Sequence, residues 1–386
     1  MFKNRHIQIL QWLLGSLLIV LFTACSSSED GEDGSVGPQP AMLTIHVYSP
    51  ERAAINQPSA SLRAETGNVQ TIGKEATIYS LQIWIYESES KAFVGYLATE
   101  EVTTLNLGEG ATYQLPVSDD FASRKPSVNV YVQANVKAAN CGVGTLNGET
   151  TYEELMAGAK ITKDLTKDYF GLGNLVRSVP DEGLPMAGKL TVQPVVGEAP
   201  ALRVGTLSQV ATVPLTRAVS KLRFVFAKTT GQPKVSITSI KMNKEMIPDE
   251  EYLFTTPQSM TYNENVGALL SQAIEDIAAT ANPTDYIYFD QEAQAYEDLI
   301  SGAGLTVHGP IYLRESDKQL SGTISYTIDG TEQEPVEFQM QQAGDFLRNH
   351  TWIVYAYYAG SGRLQVQSLY VKNWSRKEMN HSFYNW

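Results

Sequence analysis

From His350 to Tyr358 the chain alternates, with His350, Trp352, Val354, Ala356 and Tyr358 on one side and Thr351, Ile353, Tyr355 and Tyr357 on the other. A period of two predicts a strand. Gly360, Ser361 and Gly362 supply a turn, and a second arm follows with Leu364, Val366 and Tyr370 on one face and Leu369 and Val371 on the other. A terminal strand of this kind can pair with another molecule as readily as with its own sheet.

The same alternation recurs upstream. Leu43, Ile45 and Val47 against Thr44, His46 and Tyr48 predict a first strand. About thirty polar residues follow, long for a loop inside a compact domain. Tyr79 to Tyr86 and Val128 to Val136 alternate as well and predict half-buried antiparallel strands. Tyr152, Leu155, Met156 and Ala159 shift to helical spacing, with Thr150 or Thr151 as the cap. A further strand is expected in LTVQPVV, after which Pro194, Gly197, Pro200 and Gly205 punctuate the chain and suggest a domain boundary.

In the second half VPLTRAVSKLRFVFAK and VSITSIKM read as strands. Val266, Leu269, Leu270, Ala273, Ile274 and Ile277 recur at three and four, predicting an amphipathic helix over 265–281. Ile324, Tyr326 and Ile328 face Val336, Phe338 and Met340 across Asp329-Gly330, a hairpin signal. The pattern as a whole predicts a mainly β chain with short helices, arranged as two β-sandwich domains.

The N-terminus departs from this pattern. Lys3, Arg5 and His6 precede a mostly apolar run, Ile7 to Phe22, and Ala24 stands directly before Cys25. A charged start, an apolar core and small residues before a cut describe a secretory signal. The Cys in that position resembles a bacterial lipoprotein signal, which makes Cys25 the expected lipidated residue and residues 1–24 the signal peptide. The alternative, an uncut N-terminal anchor, is disfavoured because the apolar run is short for a span. Residues 25–40 are acidic, small and nearly free of apolar side chains, and are expected to form a solvated tether. With Cys25 lipidated, Cys141 is the one thiol remaining of two, so no internal disulfide is expected and the 43% hydrophobic content must carry the fold.

Charge and motifs exclude several functions. A net charge of −13 with no basic stripe argues against nucleic acid. The histidines at 6, 46, 308, 350 and 381 are dispersed, with none in HExxH or another metal spacing. There is no GxGxxG, Walker or GxSxG pattern. Cys141 reads as a loop or core thiol, His350 as structural, and Arg217 and Lys221 as surface or sheet-edge residues. No enzyme activity, cofactor or metal is expected. Arg63 differs from the other basic residues because an Arg in a polar linker is what a protease needs.

The lipoprotein start, the early strand with its Arg-Ala segment, SLQIWIYE, VNVYVQAN, LPMAGK, PLTRAVSKLRF, PIYLRES and RNHTWIVYAYY stand in an order that resembles the fimbrillin family, the subunits of type V pili. The resemblance implies a lipoprotein precursor, cut on the cell surface by an Arg-specific protease after its first strand. Loss of that strand opens a groove, which the C-terminal strand of a neighbouring subunit fills. On this sequence the displaced strand is Met42 to Tyr48, with Leu43, Ile45 and Val47 inward. The cut follows Arg63, with Arg52 as second choice, and the donor strand is Leu364, Val366, Leu369, Tyr370 and Val371, within 364–386.

These readings combine into definite expectations: two transthyretin-like β-sandwich domains, 41–204 and 205–386, in a structural subunit of a cell-surface fimbrium, anchored in the outer membrane through lipid. Its partners are other pilus subunits, the surface protease, and a host or bacterial surface ligand for adhesion. Burying four apolar side chains gains roughly 1.5 to 3 kcal/mol each, which exceeds an association cost of roughly 4 to 15 kcal/mol only when most pockets fill. Such a contact does not close on itself and propagates into a filament. The family's tip and anchor subunits share the fold, so the resemblance leaves the role within the fibre open. The competing reading is a glycan-binding surface lipoprotein that uses exposed aromatics such as Trp84 and Trp374.

Overall fold

A computed structural model describes residues 42–48, 75, 77–99, 111–136, 146–161, 179, 183–192, 194–196, 201–204, 212–255, 260–262, 268–270, 272–287, 302–340, 343–344, 346–360 and 362–371. Strands β1 Met42–Tyr48, β2 Leu81–Glu87, β3 Phe93–Thr99, β4 Ala111–Pro116, β5 Val128–Ala134, β6 Lys160–Ile161, β7 Met186–Val192, β8 Pro194–Val196, β9 Ala201–Val204, β10 Thr212–Pro214 and β11 Thr216–Arg217 come first. They are followed by β12 Ser220–Thr229, β13 Val235–Met242, β14 Glu251–Tyr252, β15 Ala279–Thr280, β16 Thr306–Leu313, β17 Ser321–Ile328, β18 Thr331–Glu332, β19 Val336–Gln339, β20 Thr351–Tyr358 and β21 Gln365–Val371. Two short helices, α1 Asp119–Arg124 and α2 Tyr152–Gly158, interrupt the first series.

Two sheets build the first sandwich. One holds β4, β1, β8, β9 and β10; the other runs β11-β7-β5-β2-β3, antiparallel throughout. Their facing side chains form one core, with Leu43, Ile45 and Val47 from β1, Ile83 and Ile85 from β2, Val130 and Val132 from β5, and Leu115 from β4. The second sandwich packs the sheet β15-β12-β20-β21, to which β16 adds on β12, against the sheet of β13, β17, β18 and β19. Its core includes Leu222, Phe224, Phe226, Ile324, Phe338 and Trp352. The chain is therefore mainly β, with sandwich packing.

Most predicted elements are present, and two readings change. The expected strands over 79–86 and 128–136 are antiparallel but buried on both faces, not half-buried. Trp84, Tyr86 and Tyr131 point away from the first core into a second cluster with Leu155, Leu253 and Phe254. Burial is tolerated because the Trp84 indole N–H donates to Asn147 O at 2.9 Å and the Tyr86 hydroxyl to Thr150 O at 2.7 Å. The covering segment contains α2, capped by Thr151 in a reciprocal box with Glu154, as its spacing predicts.

The helix expected over 265–281 is absent among the described residues. Leu269 and Ile277 donate their backbone N–H groups to Ile240 O and Val235 O, while Ile274 and Ile237 exchange both backbone bonds. This segment follows the open edge of β13 as irregular extended chain, and its apolar residues reach the core from there. The edge offers backbone partners at intervals, which outweighs the helical period.

The hairpin over 324–340 forms as predicted, with Asp329 at φ 48 and Gly330 at φ 79 in its turn. The C-terminal pair also forms: β20 and β21 run antiparallel from Thr351↔Val371 to Tyr357↔Gln365. Sheet partners change from the first sandwich to the second between Arg217 and Ser220.

Candidate functional site

The alternating pattern over 42–48 produces an inner strand. Met42 to Thr44 each pair with both β4 and β9, and His46 and Val47 each pair with both β4 and β10. β4 therefore covers one edge of β1 from Met42 to Val47, and β9 and β10 share the opposite one. Leu43, Ile45 and Val47 are fully buried, worth roughly 1.5 to 3 kcal/mol apiece. Withdrawing β1 would leave a slot with two strand edges open and three apolar pockets empty. The slot is antiparallel to β4, with Leu43 opposite Leu115 and Ile45 opposite Tyr113.

The predicted processing residues Arg52 and Arg63, and the predicted lipidation residue Cys25, lie outside the described residues. Cys141, Trp374 and Trp386 do so as well. Glu75, which follows residues 49–74 in sequence, is completely buried. Its carboxylate accepts from the Tyr312 hydroxyl, and Lys221 Nζ stands 3.3 Å from Oε2 and 3.5 Å from Oε1. Arg217 Nε donates to the Glu75 carbonyl at 3.0 Å, and its Nη1 to Asn349 Oδ1 at 3.3 Å.

Arg217 and Lys221 thus contradict their expected placement at the surface or a sheet edge, since each is only 1% exposed. The reason is the buried acid, which compensates charges that could not otherwise leave water. Sequence reasoning missed Glu75 as their partner. A signal was available: Arg217, Lys221 and Arg223 share one face of an otherwise apolar stretch, which requires an anion on the same side. Burial alone would raise the Glu75 pKa, but Lys221, Arg217 and the Tyr312 hydrogen bond outweigh it and hold the carboxyl below its usual range. The same contact, together with burial, pushes the Tyr312 phenol well above its ordinary value.

A second bracket lies immediately beyond. Asn135, in the left-handed region at φ 59, accepts from Tyr79 N at 2.7 Å and donates to Thr77 O and Leu184 O, both at 2.8 Å. Its own N–H donates to Ser80 O at 3.0 Å. The lead into β2 is therefore fixed at residue 75 and again at 77–80.

At the other end of the chain, the expected donor arm is the outermost strand of its sheet. Leu364 is buried, its N–H donating to the Tyr326 hydroxyl at 3.1 Å, and Val366 packs on the second core. Leu369, Tyr370 and Val371 pair by backbone with Ile353, Trp352 and Thr351. The connecting turn uses Gly360 at φ 95, where an added Cβ would lie 2.5 Å from the Gln232 side chain.

Other sequence candidates resolve differently. Trp84 is wholly buried, which removes it from the exposed aromatics that a glycan site needs. The His350 ring lies 2.7 Å from Arg348 O, a local structural contact. A cleft lined by Lys189, Phe254, Glu315 and Arg348 has its charges already engaged. Arg348 donates through Nη2 to Tyr252 O at 2.8 Å and to Glu315 Oε1 at 2.5 Å, and Lys189 Nζ donates to Phe254 O at 3.2 Å. Glu251, behind Arg348, is fully buried with Oε2 accepting from Glu315 N at 3.0 Å. Burial pushes its carboxyl up to about 8, against the opposing attraction of Arg348 at 3.2 Å and with added repulsion from Glu315. Among the described residues no three His, Cys, Asp or Glu side chains group as metal ligands.

Residues 52–238 match the family model described as major fimbrial subunit protein (FimA). Among curated proteins no match was found. A candidate cell adhesion protein of Parabacteroides distasonis is similar at 15% identity and TM-score 0.48, over 86% of this chain and 97% of that one. The tip fimbrial protein Mfa3 of Porphyromonas gingivalis aligns at 12% identity and TM-score 0.42, over 86% and 98%. The fimbrial anchor protein Mfa2 of the same organism aligns at 9% identity and TM-score 0.37, over 87% and 100%.

Proposed function

We propose, from the premise that residues 52–238 make this chain a member of the fimbrillin family, that it is a fimbrial subunit that polymerises by exchange of strands. The precursor is exported as a lipoprotein on Cys25 and held at the outer membrane. An Arg-specific protease cuts after Arg63, or after Arg52 as the second choice. β1 then leaves, and the C-terminal arm of another subunit, Leu364 to Val371 and onward, occupies the slot. The fibre supports adhesion.

The observation that carries this reading is the position of β1. It is a strand with partners on both edges and three sealed apolar side chains, yet it is joined to the remaining fold through residues 49–74, which contain both candidate arginines. The arrangement in which β1 and β21 both rest in their own subunit corresponds to the precursor.

The experiment is N-terminal sequencing of surface-released protein, paired with Arg63→Ala. A mature N-terminus at Ala64, with Arg63→Ala left as monomeric precursor, is the expected result. Normal polymerisation of Arg63→Ala with an intact N-terminus overturns the reading. Full-length monomer that shifts in a glycan affinity gel would favour the glycan-binding alternative.

A further inference from the structure

We infer that the buried knot around Glu75 is the stop point of strand exchange, a positioning device that confines the release to the chain before residue 75 and keeps the emptied sandwich in shape. The inference rests on the proposed processing of the precursor and adds to it a group of residues with no part in cutting or donation.

The departure of β1 weakens both sheets of the first sandwich. The first sheet loses its inner strand, so the facing sheet loses contact with Leu43, Ile45 and Val47, against which Ile83, Ile85, Val130 and Val132 pack. β2 is the first strand of that sheet to follow in sequence, and cutting after Arg63 makes the lead into it a free chain end. A strand without a fixed start would fray from that end.

The start of β2 is fixed twice, and neither fixing depends on β1. Asn135 holds residues 77–80 from within the first sandwich. Glu75 reaches beyond it: Lys221 stands on β12, Tyr312 on β16, and Asn349, bonded to Arg217, precedes β20. The point at which the chain enters β2 is therefore bonded to two strands of the second sandwich, whose core does not include β1. The knot is sealed from solvent, so its ionic contacts are not screened by salt as surface pairs are. A buried acid at this sequence position ties the residue after the processing segment to the part of the molecule that processing leaves unchanged.

The test compares wild type, Glu75→Gln and Tyr312→Phe, each as the full chain, before and after digestion with an Arg-specific protease. Hydrogen exchange is read at Tyr79 to Glu87, and polymer by sedimentation. Tyr312→Phe removes one hydrogen bond without leaving a charge unpaired, so it remains informative if Glu75→Gln does not fold. The expected result is that Glu75→Gln lowers protection in the cut protein by about ten-fold more than in the uncut protein, with Tyr312→Phe intermediate, because β1 and the knot then share the task of holding β2. An equal loss before and after cutting, or none, overturns the stop-point role. Retention of β1 in every cut molecule overturns both that role and strand exchange. Release of β1 without polymer overturns the pilus reading while leaving the knot standing.

Discussion

Lys221 Nζ lies 3.3 Å from Glu75 Oε2 across 146 residues of sequence, and both side chains are shut off from water. Such a pair is costly to bury and more costly to break, because either partner left alone keeps its desolvation penalty without the compensating charge. Lys221→Met should therefore destabilise the protein by about 3 to 5 kcal/mol in urea unfolding at neutral pH. A cost under about 1 kcal/mol, the range of exposed pairs, would mean the contact is not sealed in solution.

The two buried acids should give opposite responses to pH. The folded-state pKa of Glu75 is depressed, so its contribution is present above the ordinary carboxylate range and is lost as pH falls through the folded value. Glu251 is raised to about 8 from an ordinary 4.5. The folded state then holds a proton that the unfolded state has released, so stability associated with Glu251 is present at low pH and declines as pH rises through the folded value. Glu251→Gln should gain on wild type in unfolding midpoint between about pH 5 and about pH 8 and level off above that. A difference that stays constant or shrinks across that interval would show that Arg348 keeps Glu251 ionised.

Much of this architecture was legible in the sequence because period-two alternation is direct evidence of a pleated face. β1, the Asp329-Gly330 hairpin, the β20–β21 pair and a helix cap at Thr150 or Thr151 were all readable locally. What was not readable depended on contacts distant in sequence. The 269–277 segment has helical spacing, but β13 presents an edge that its backbone can join, and nothing in the local sequence announces that edge. Trp84 and Tyr86 looked like an outward face until the segment 146–161 and Leu253 covered them. Arg217 and Lys221 looked like surface cations because Glu75, far away in the chain, is the group that permits their burial.

Asn135 provides an independent check on how the start of β2 is held. Asn135→Gly keeps the backbone able to adopt φ 59 but removes the side chain that accepts from Tyr79 N and donates to Thr77 O and Leu184 O. Leaving those buried groups unpaired should cost about 1 to 3 kcal/mol each where water cannot reach them. Asn135→Ala should cost more than Asn135→Gly, since it adds a strained backbone to the same loss. If the two variants unfold at the same urea concentration, the backbone conformation at 135 is not under constraint.

A substitution in β1 separates the precursor from the assembled form. Ile45 is fully buried opposite Tyr113, and truncating such a side chain leaves a cavity that costs about 2 to 5 kcal/mol. Ile45→Ala should lower the thermal midpoint of the uncut chain for that reason. Once the segment before Ala64 has been removed and a donor arm has taken its place, residue 45 is no longer part of the molecule. Fibres grown from Ile45→Ala should then resist heat and denaturant to the same degree as wild-type fibres, and should form sooner because the weakened strand leaves more readily. Equal loss of stability in the fibre and the precursor would show that β1 remains in the polymer, and the slot would then have to be filled by the subunit's own strand.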